Sequence, residues 1–131
     1  MPNREKTYKI AEFSKKTDLP TSTLRYYEEL GLLNPQRLSN NYRSYSQQDL
    51  NWCQFIQRAK STGMPLSTII EYSQLRQRGE ETINDRIRIL EQQEQILLIE
   101  QKKIQSHLDF LQNKKKHYLS NKLNNKGDTI T

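Results

Sequence analysis

Residues 21–33 and the segment that follows them carry side chains suited to the recognition of DNA. The sequence TSTLRYYEELGLL predicts a short helix. Helical periodicity brings four polar side chains to one of its faces: Ser22, Arg25, Tyr26 and Glu29. The next residues, NPQRLSNNYRSYS, predict a small hairpin that carries Tyr42 and Arg43. Because guanidinium and hydroxyl groups donate hydrogen bonds to base edges and phosphates, DNA binding is the leading hypothesis.

The segment before this helix, residues 8–18, predicts the supporting helix of a helix-turn-helix. Residues 19 and 20, Leu-Pro, form the turn between the two helices, and Thr21 or Ser22 is available as the N-cap of the second. Gly31 is well placed as the C-cap, since glycine adopts the left-handed conformation that ends many helices.

The polar segment after the second helix predicts a hairpin and the start of a third helix. Two short strands are expected between residues 36 and 45, around a turn at residues 39–41, because asparagine tolerates the left-handed conformation of a tight turn. Ser46 and Asp49 have the spacing of a capping box, which predicts a helix over residues 47–62.

A fourth helix is expected after Gly63, with Pro65 in its first turn and a break at residues 78–80. Its apolar positions predict five buried side chains: Leu66, Ile69, Ile70, Tyr72 and Leu75.

The chain then continues from residue 82 to about residue 118 without glycine or proline. A heptad pattern in alternating steps of four and three runs from residue 83 to residue 118, and eight of its eleven positions are apolar or aromatic, which predicts a coiled coil. The other three positions are the polar residues Glu94, Gln101 and Lys115. The predicted dimerisation positions are Ile83, Ile87, Leu90, Leu97, Ile104, Leu108 and Leu111. At about 1.5 Å per residue the helix is roughly 55 Å long and needs a partner helix that this chain does not supply, so we expect a homodimer. The alternative is a single helix that lies back on its own small domain.

Composition bounds the class of protein. With 33% hydrophobic residues and a mean hydropathy of −1.00, a small core with a long half-exposed helix is favoured over one large core. The net charge of +6 favours a polyanionic partner. No apolar run is long enough to span a membrane, no secretory signal is evident, and the single cysteine cannot form an internal disulfide, so a cytoplasmic location is expected.

Four regions follow from these patterns. Residues 1–6 are expected to be a flexible N-terminus, residues 7–78 a DNA-binding domain with a helix-turn-helix and a hairpin, residues 79–119 a dimerisation helix, and residues 120–131 a disordered tail. The predicted fold class is therefore mainly α. No nucleophile–base set, phosphate-binding glycine loop or pair of carboxylates in a plausible cleft is evident, so an enzyme is not expected, and neither is a cofactor.

The order of these elements and four short motifs resemble the MerR family of bacterial transcription regulators. The motifs are T-L-R-Y-Y-E-x-x-G-L-L at residues 23–33, N-Y-R-S-Y at 41–45, D-L at 49–50 and G-M-P-L at 63–66. The resemblance covers roughly residues 7–120. This chain looks like a short, single-domain member that lacks the metal-binding cysteines.

The resemblance implies a winged helix-turn-helix domain that dimerises through an antiparallel coiled coil. Members of the family bind a pseudo-palindrome in the spacer of a promoter, and they bend and untwist that DNA so that RNA polymerase can use the promoter elements. Double-stranded promoter DNA, a second copy of the chain and, functionally, RNA polymerase are then the expected partners. Whether the protein activates or represses a given promoter stays open.

Carried onto this sequence, the resemblance places the second helix at the major groove, through Ser22, Thr23, Arg25 and Tyr26. Arg25 is the candidate for a base contact, since a guanidinium can bind guanine through two hydrogen bonds. The alternatives for Arg25 are a phosphate contact or a salt bridge to Glu29, four residues later in the chain.

Tyr27 falls on the inward face of the same helix, so core packing is favoured for it, although its hydroxyl could reach a phosphate. In the hairpin, Tyr42 and Arg43 are expected to clamp phosphates, and Arg37 could contact the same backbone. Tyr45 is expected to pack beneath the hairpin.

Members of this family respond to metal ions, oxidants, electrophiles or lipophilic cations. Metal sensing uses cysteines near the start of the long helix and in a loop after it, but residues 79–85 and 118–131 contain none. His107 and His117 lie ten residues apart on one helix, too far to share an ion. No metal site is expected.

Cys53 is the candidate thiol sensor. A branch of the family senses electrophiles through a lone cysteine on the third helix, but that cysteine lies where this chain has Arg58. A buried and inert thiol is the default for Cys53. A small-molecule pocket among Trp52, Tyr72, Leu75 and the long helix of the partner is a further alternative to plain core packing. The sequence does not identify an effector.

A second class of function stays open at this stage. A basic coiled-coil protein could also be an architectural factor that binds DNA without sequence preference, although the hairpin motif speaks against it.

Overall fold

The computed structural model describes residues 6–124, which form five α-helices and one two-stranded sheet. The elements in chain order are α1 (Ile10–Thr17), α2 (Thr21–Glu29), β1 (Gln36–Arg37), β2 (Arg43–Ser44), α3 (Gln47–Ser61), α4 (Leu66–Gln77), a 3-10 turn (Glu80–Thr82) and α5 (Ile83–Asn124). The predicted mainly α fold, with a helix-turn-helix, a hairpin and a long C-terminal helix, is confirmed. Residues 1–5 of the expected flexible N-terminus and residues 125–131 of the expected tail lie outside the described residues.

Helix α1 begins at Ile10, two residues later than the sequence predicts. Tyr8 instead pairs with Tyr45 in an antiparallel bridge, in which each backbone N–H donates to the carbonyl of the other residue at 2.8 and 2.9 Å. Because both backbone groups of Tyr8 are used in this pairing, the chain is extended there and turns helical only afterwards.

The turn between α1 and α2 differs from prediction in its cap. The N-cap of α2 is Pro20, and neither Thr21 nor Ser22 caps the helix through its side chain. The carbonyl of Pro20 accepts from the amides of Thr23 and Leu24 at 3.0 and 3.2 Å. Pro20 has a φ of −57°, which its ring fixes, and a ψ of 149°, so the first residue with helical backbone angles is Thr21.

Glycine ends α2 as predicted. Gly31 has a φ of +78°, which an L side chain rarely adopts, and Leu32 then donates to the carbonyl of Tyr27 at 2.8 Å. The chain is thereby directed back to the core, where Leu32 and Leu33 are buried.

Strands β1 and β2 form the predicted hairpin, although each is only two residues long. The register pairs Gln36 with Ser44 and Arg37 with Arg43. Asn41 takes the left-handed conformation in the turn, with a φ of 67°. This confirms the turn that the asparagines predict.

The predicted capping box starts α3. The side chain of Ser46 accepts from the amide of Asp49 at 3.1 Å, and the carboxylate of Asp49 accepts from the amide of Ser46 at 2.9 Å. Two of the N–H groups that a helix start leaves unpaired are therefore satisfied by local side chains.

The hydrophobic core joins the helix-turn-helix to α3 and α4. Phe13 and Tyr45 stack with ring centroids 4.2 Å apart, and the indole of Trp52 donates to the carbonyl of Leu32 at 2.7 Å. On α4, Ile69 is fully buried, and the other four predicted positions pack against the core partly buried: Leu66, Ile70, Tyr72 and Leu75.

The described part of the chain divides into two compact units, with the boundary between residues 90 and 91. This boundary lies within α5, because the first turns of the helix belong to the first unit, and the division at residues 78–79 into DNA-binding domain and dimerisation helix stays a prediction. Ile89 is part of that unit's core, and Arg86 donates to the carbonyl of Gly79 and to the hydroxyl of Thr82.

In the second unit α5 continues to Asn124, beyond the predicted end at residue 119. Residues 119–124, LSNKLN, contain no glycine or proline that would stop a helix, so the part of the expected disordered tail up to residue 124 is helical. Over residues 6–124, no helix combines the length and the apolar character needed to cross a bilayer.

Candidate nucleic-acid interface

The outer face of α2 presents the side chains that the sequence assigns to a DNA groove. Ser22, Arg25 and Tyr26 are exposed, with 49% of Tyr26 accessible, and Thr23 is half-buried beside them. On the opposite face Leu24 is completely buried. The helix is therefore amphipathic, with its apolar side fixed to the core and its polar side open to solvent.

Arg25 stays available for an external acceptor. Within residues 6–124 no carboxylate lies within ion-pair distance of its guanidinium, so the alternative salt bridge to Glu29 is not formed. A free guanidinium keeps its fork of N–H donors for a base edge or a phosphate.

Tyr27 does not belong to this face. Only 2% of it is exposed, and its hydroxyl accepts from the ammonium of Lys60 at 3.2 Å. This burial favours core packing for Tyr27, whose ring lies between α2 and α3, and its assignment to the DNA-binding residues stays a prediction.

The hairpin projects Tyr42, which is 64% exposed, but its two arginines turn toward α2. Arg43 binds the carboxylate of Glu28 through two atoms, Nε to Oε1 at 3.0 Å and Nη2 to Oε2 at 3.3 Å. Arg37 donates from Nη2 to Oε2 of the same carboxylate at 3.2 Å. One acidic side chain of α2 therefore holds both hairpin arginines.

Sequence reasoning missed the role of Glu28. The available signal is the glutamate of the Y-Y-E motif, followed by two arginines in the hairpin, but only the fold brings residues 9 and 15 positions apart into contact. The hydrogen bond from Arg43 holds the pKa of Glu28 below its usual value, and the same bond raises the pKa of Arg43.

The cluster of Glu28, Arg37 and Arg43 keeps one net positive charge, and part of its hydrogen-bonding capacity is unused. Among the described residues no acceptor meets Nη1 of Arg43, while Nη1 of Arg37 donates to the carbonyl of Asn41 at 3.1 Å. The cluster can therefore still attract and bind a phosphate.

A groove between α1 and the hairpin extends the basic surface. Lys9, Lys15 and Arg43 line it, and among the described residues of its wall Glu12 is the one acidic side chain. Sequence reasoning did not single out these lysines, because their proximity to the hairpin depends on the bridge between Tyr8 and Tyr45. Three cations in one groove provide a track for a phosphate backbone.

Cys53 is completely buried, with none of its surface exposed. Burial, and secondarily the nearby negative charge of Asp49, raise the pKa of its thiol to about 12. Reactive cysteines have lowered pKa values and accessible sulfur atoms. The geometry therefore fits the buried, inert thiol and lacks the features of a sensor.

The aromatic residues considered for a pocket stack mainly on one another. The ring centroids of Trp52 and Phe55 are 5.1 Å apart, and those of Phe55 and Tyr72 are 4.9 Å apart. The guanidinium carbon of Arg76 lies over the Trp52 ring, 4.4 Å from its centroid. A shallow surface depression borders this stack, but Leu75 does not line it. Over residues 6–124 no three acidic, histidine or cysteine side chains form a group that could hold a metal ion.

All seven predicted dimerisation residues are exposed on α5. Their accessible fractions are 44% for Ile83, 44% for Ile87, 42% for Leu90, 37% for Leu97, 59% for Ile104, 43% for Leu108 and 60% for Leu111. Large apolar side chains exposed at this density mark a surface for association.

Comparison with known proteins identifies the family of this chain. Residues 8–75 match the model of the MerR helix-turn-helix family of regulatory proteins. The chain is 36% identical over 90 residues to the transcriptional regulator AdhR of Bacillus subtilis, covering 68% of this chain but only 64% of that protein. It is 31% identical over 113 residues to a helix-turn-helix transcriptional regulator of Haemophilus influenzae, covering 86% of this chain and 84% of that protein.

A solved structure shares the fold over most of the length. It is that of HiNmlR, a MerR family regulator lacking the sensor domain, bound to promoter DNA. The TM-score is 0.72 at 29% sequence identity, covering 90% of this chain and 94% of HiNmlR. From the family match, these relatives and the shared fold, the chain belongs to the MerR family of helix-turn-helix regulatory proteins.

Proposed function

We propose that this protein is a homodimeric, sequence-specific transcription regulator that binds the spacer of a promoter. The observation that carries the proposal is the open polar face of α2 with the hairpin arginines anchored beside it through Glu28. The likeness to HiNmlR, which was solved on promoter DNA, supports the same use of the fold.

The two parts of the interface have different roles in DNA binding. Ser22, Thr23, Arg25 and Tyr26 enter the major groove, where Arg25 reads a base edge. The hairpin and the adjoining groove bind the backbone, through Tyr42, Arg37, Arg43, Lys9 and Lys15. Phosphate contacts set the register of the protein on the duplex, and the base contact supplies sequence preference.

The exposed apolar stripe of α5 supports the dimer. A second copy of the chain offers the same stripe, so two copies cover each other in a two-fold coiled coil. Two DNA-binding domains related by a two-fold axis read two half-sites of opposite orientation, which explains a pseudo-palindromic target.

Activation then follows from deformation of the DNA. Bending and untwisting a spacer costs about 1–6 kcal/mol by elastic estimates, which added backbone contacts offset. The altered DNA brings the promoter elements into a register that RNA polymerase uses. A small-molecule or stress signal controls this deformed state of the DNA. Because Cys53 is buried, it does not indicate the chemical class of that signal.

Competition tests sequence-specific binding. Purified protein is bound to labelled fragments of bacterial genomic DNA, and an increasing excess of random-sequence duplex is added at about physiological salt. We expect a small subset of fragments to stay bound, because specific sites bind about 10³- to 10⁷-fold more tightly than random DNA. Parallel loss of all fragments would instead identify an architectural DNA-binding protein.

Transcription in vitro tests the deformation. A retained site is placed in promoters whose spacers differ by one base pair at a time, and purified RNA polymerase is added with and without the protein. Stimulation is expected only for spacers longer than the polymerase's preferred length. Equal stimulation at every length would favour recruitment of the polymerase.

A further inference from the structure

The hairpin contains an electrostatic conflict that its own strands do not resolve. Arg37 and Arg43 are directly opposite each other in the β1–β2 register. Like charges at directly opposed positions destabilise a strand pair. Each strand has only two residues, and an isolated two-stranded hairpin is marginally stable in water even without repulsion.

Glu28 resolves the conflict from outside the hairpin. Its carboxylate lies between the two guanidiniums, with three N···O contacts of 3.0, 3.2 and 3.3 Å. The two-atom contact with Arg43 restricts direction as well as distance, because a planar guanidinium and a planar carboxylate bind edge to edge. Glu28 also lies on α2, so the same contacts tie the hairpin to the groove-reading helix.

We propose that Glu28 is a positioning residue for DNA reading. It fixes the two phosphate-binding arginines relative to α2, and it lowers the positive charge of the hairpin so that binding depends on geometry more than on attraction to phosphate. This inference rests on the proposed function, because a register between hairpin and helix matters only if both bind the same duplex.

Loss of the carboxylate has two effects of opposite sign on DNA binding. The cluster gains one positive charge, which strengthens binding to any duplex and steepens the dependence of log affinity on log salt by about 0.9. The arginines also lose their fixed direction, which weakens binding where phosphates must be met at the correct distance from the bases. The ratio of specific to non-specific affinity therefore falls, and a purely electrostatic or purely structural role would not produce this combination.

The experiment compares Glu28→Gln with two further variants. Glu28→Gln/Arg37→Gln restores the net charge of the cluster but leaves Arg43 unanchored. Glu71→Gln is the matched control, because Glu71 is an exposed glutamate of α4 with no ion pair among the described residues. Affinities for a retained genomic fragment and for random duplex are measured over a range of salt concentrations, together with the melting temperature.

For Glu28→Gln we expect the specificity ratio to fall about tenfold or more, the size of one charge-assisted hydrogen bond, while random-duplex affinity rises. The double variant is expected to return random-duplex affinity to the wild-type level with the ratio still low. Glu71→Gln should leave the ratio unchanged. A ratio in Glu28→Gln equal to that of the control, or a parallel fall of both affinities with the melting temperature, would overturn the proposal.

A second measurement keeps this inference separate from the proposed function. The amide of Leu38 donates across the hairpin to the carbonyl of Tyr42 at 2.8 Å, and the amide of Leu50 donates to the carbonyl of Ser46, the N-cap of α3, at 3.1 Å. Without any DNA, Glu28→Gln is expected to speed hydrogen exchange at Leu38 about tenfold and to leave Leu50 unchanged. Unchanged exchange at Leu38 would refute the anchoring role, whereas failure of wild-type protein to discriminate between DNA sequences would refute the proposed function alone.

Discussion

Replacement of Tyr45 by phenylalanine is expected to stabilise the protein. The side chain is completely buried and stacks on Phe13, yet its hydroxyl has no hydrogen-bond partner among residues 6–124. A phenylalanine keeps the stacked ring and removes the polar atom. The substitution thus deletes a group that lost its hydration on folding and gained no partner in return.

The size of the effect follows from the cost of such a group. An unsatisfied buried donor or acceptor costs about 1–3 kcal/mol. The small space left by the lost oxygen offsets part of this gain, so we expect the free energy of unfolding to increase by about 1 kcal/mol. For a domain of roughly 60–100 residues this raises the melting temperature by about 4–8 °C.

The same substitution changes the response to alkaline pH. Burial raises the pKa of Tyr45 above its ordinary value of 10.0. Below pH 10 the tyrosine is neutral in both the folded and the unfolded chain and contributes no pH dependence. Above pH 10 it ionises more readily when unfolded, so wild-type stability falls by up to about 1.4 kcal/mol per pH unit. Tyr45→Phe lacks this loss, and its advantage over wild type grows as the pH rises.

Urea unfolding measures both effects. Wild type and Tyr45→Phe are compared at pH 7, 10 and 11 and at equal protomer concentration, because dissociation of a dimer makes apparent stability depend on concentration. A variant that is less stable at pH 7 would mean that the hydroxyl has a bonding partner, and an advantage that stays constant with pH would contradict its burial as the cause of the raised pKa.

Three further predictions concern the interface, the dimer and the thiol. Arg25→Ala should remove discrimination between a retained site and a base-substituted duplex in mobility-shift titrations, and unchanged discrimination would show that another residue reads the base. Leu97→Asp combined with Leu108→Asp should give monomers in sedimentation, because the two charges would be buried between the paired α5 helices. An intact dimer would show that the apolar stripe of α5 is not the dimer contact. Cys53 in native protein at pH 8 should react with a small thiol reagent at least about tenfold more slowly than in urea, since the thiol is buried and its pKa is about 12. Equal rates would restore it as a sensor candidate.

The features that the sequence predicted correctly are local ones. Gly31 ends α2, and Asn41 makes the hairpin turn. Ser46 and Asp49 cap α3 through two hydrogen bonds between residues three positions apart. In each case residue type and near neighbours determine the conformation. Helix boundaries were less accurate where a distant residue competes for the backbone, as Tyr45 does for Tyr8.

The missed part of the site is its internal electrostatics. A pattern along the chain placed Arg37 and Arg43 on the hairpin and assigned them to phosphate, but it could not show that both share the carboxylate of Glu28. The contact of Lys60 with Tyr27 could not be predicted from the sequence either, since it joins residues 33 positions apart. Such contacts depend on how α2, α3 and the hairpin pack, and no local rule fixes that packing.

Selection of binding sites from random duplex DNA tests the central claim most directly. Purified protein is incubated with the pool at about physiological salt, and the bound molecules are sequenced over several rounds. A dimeric reader predicts enrichment of an inverted repeat whose half-sites are separated by about one or two helical turns. A pool that stays random, with binding that fades steeply as salt rises, would contradict sequence-specific recognition.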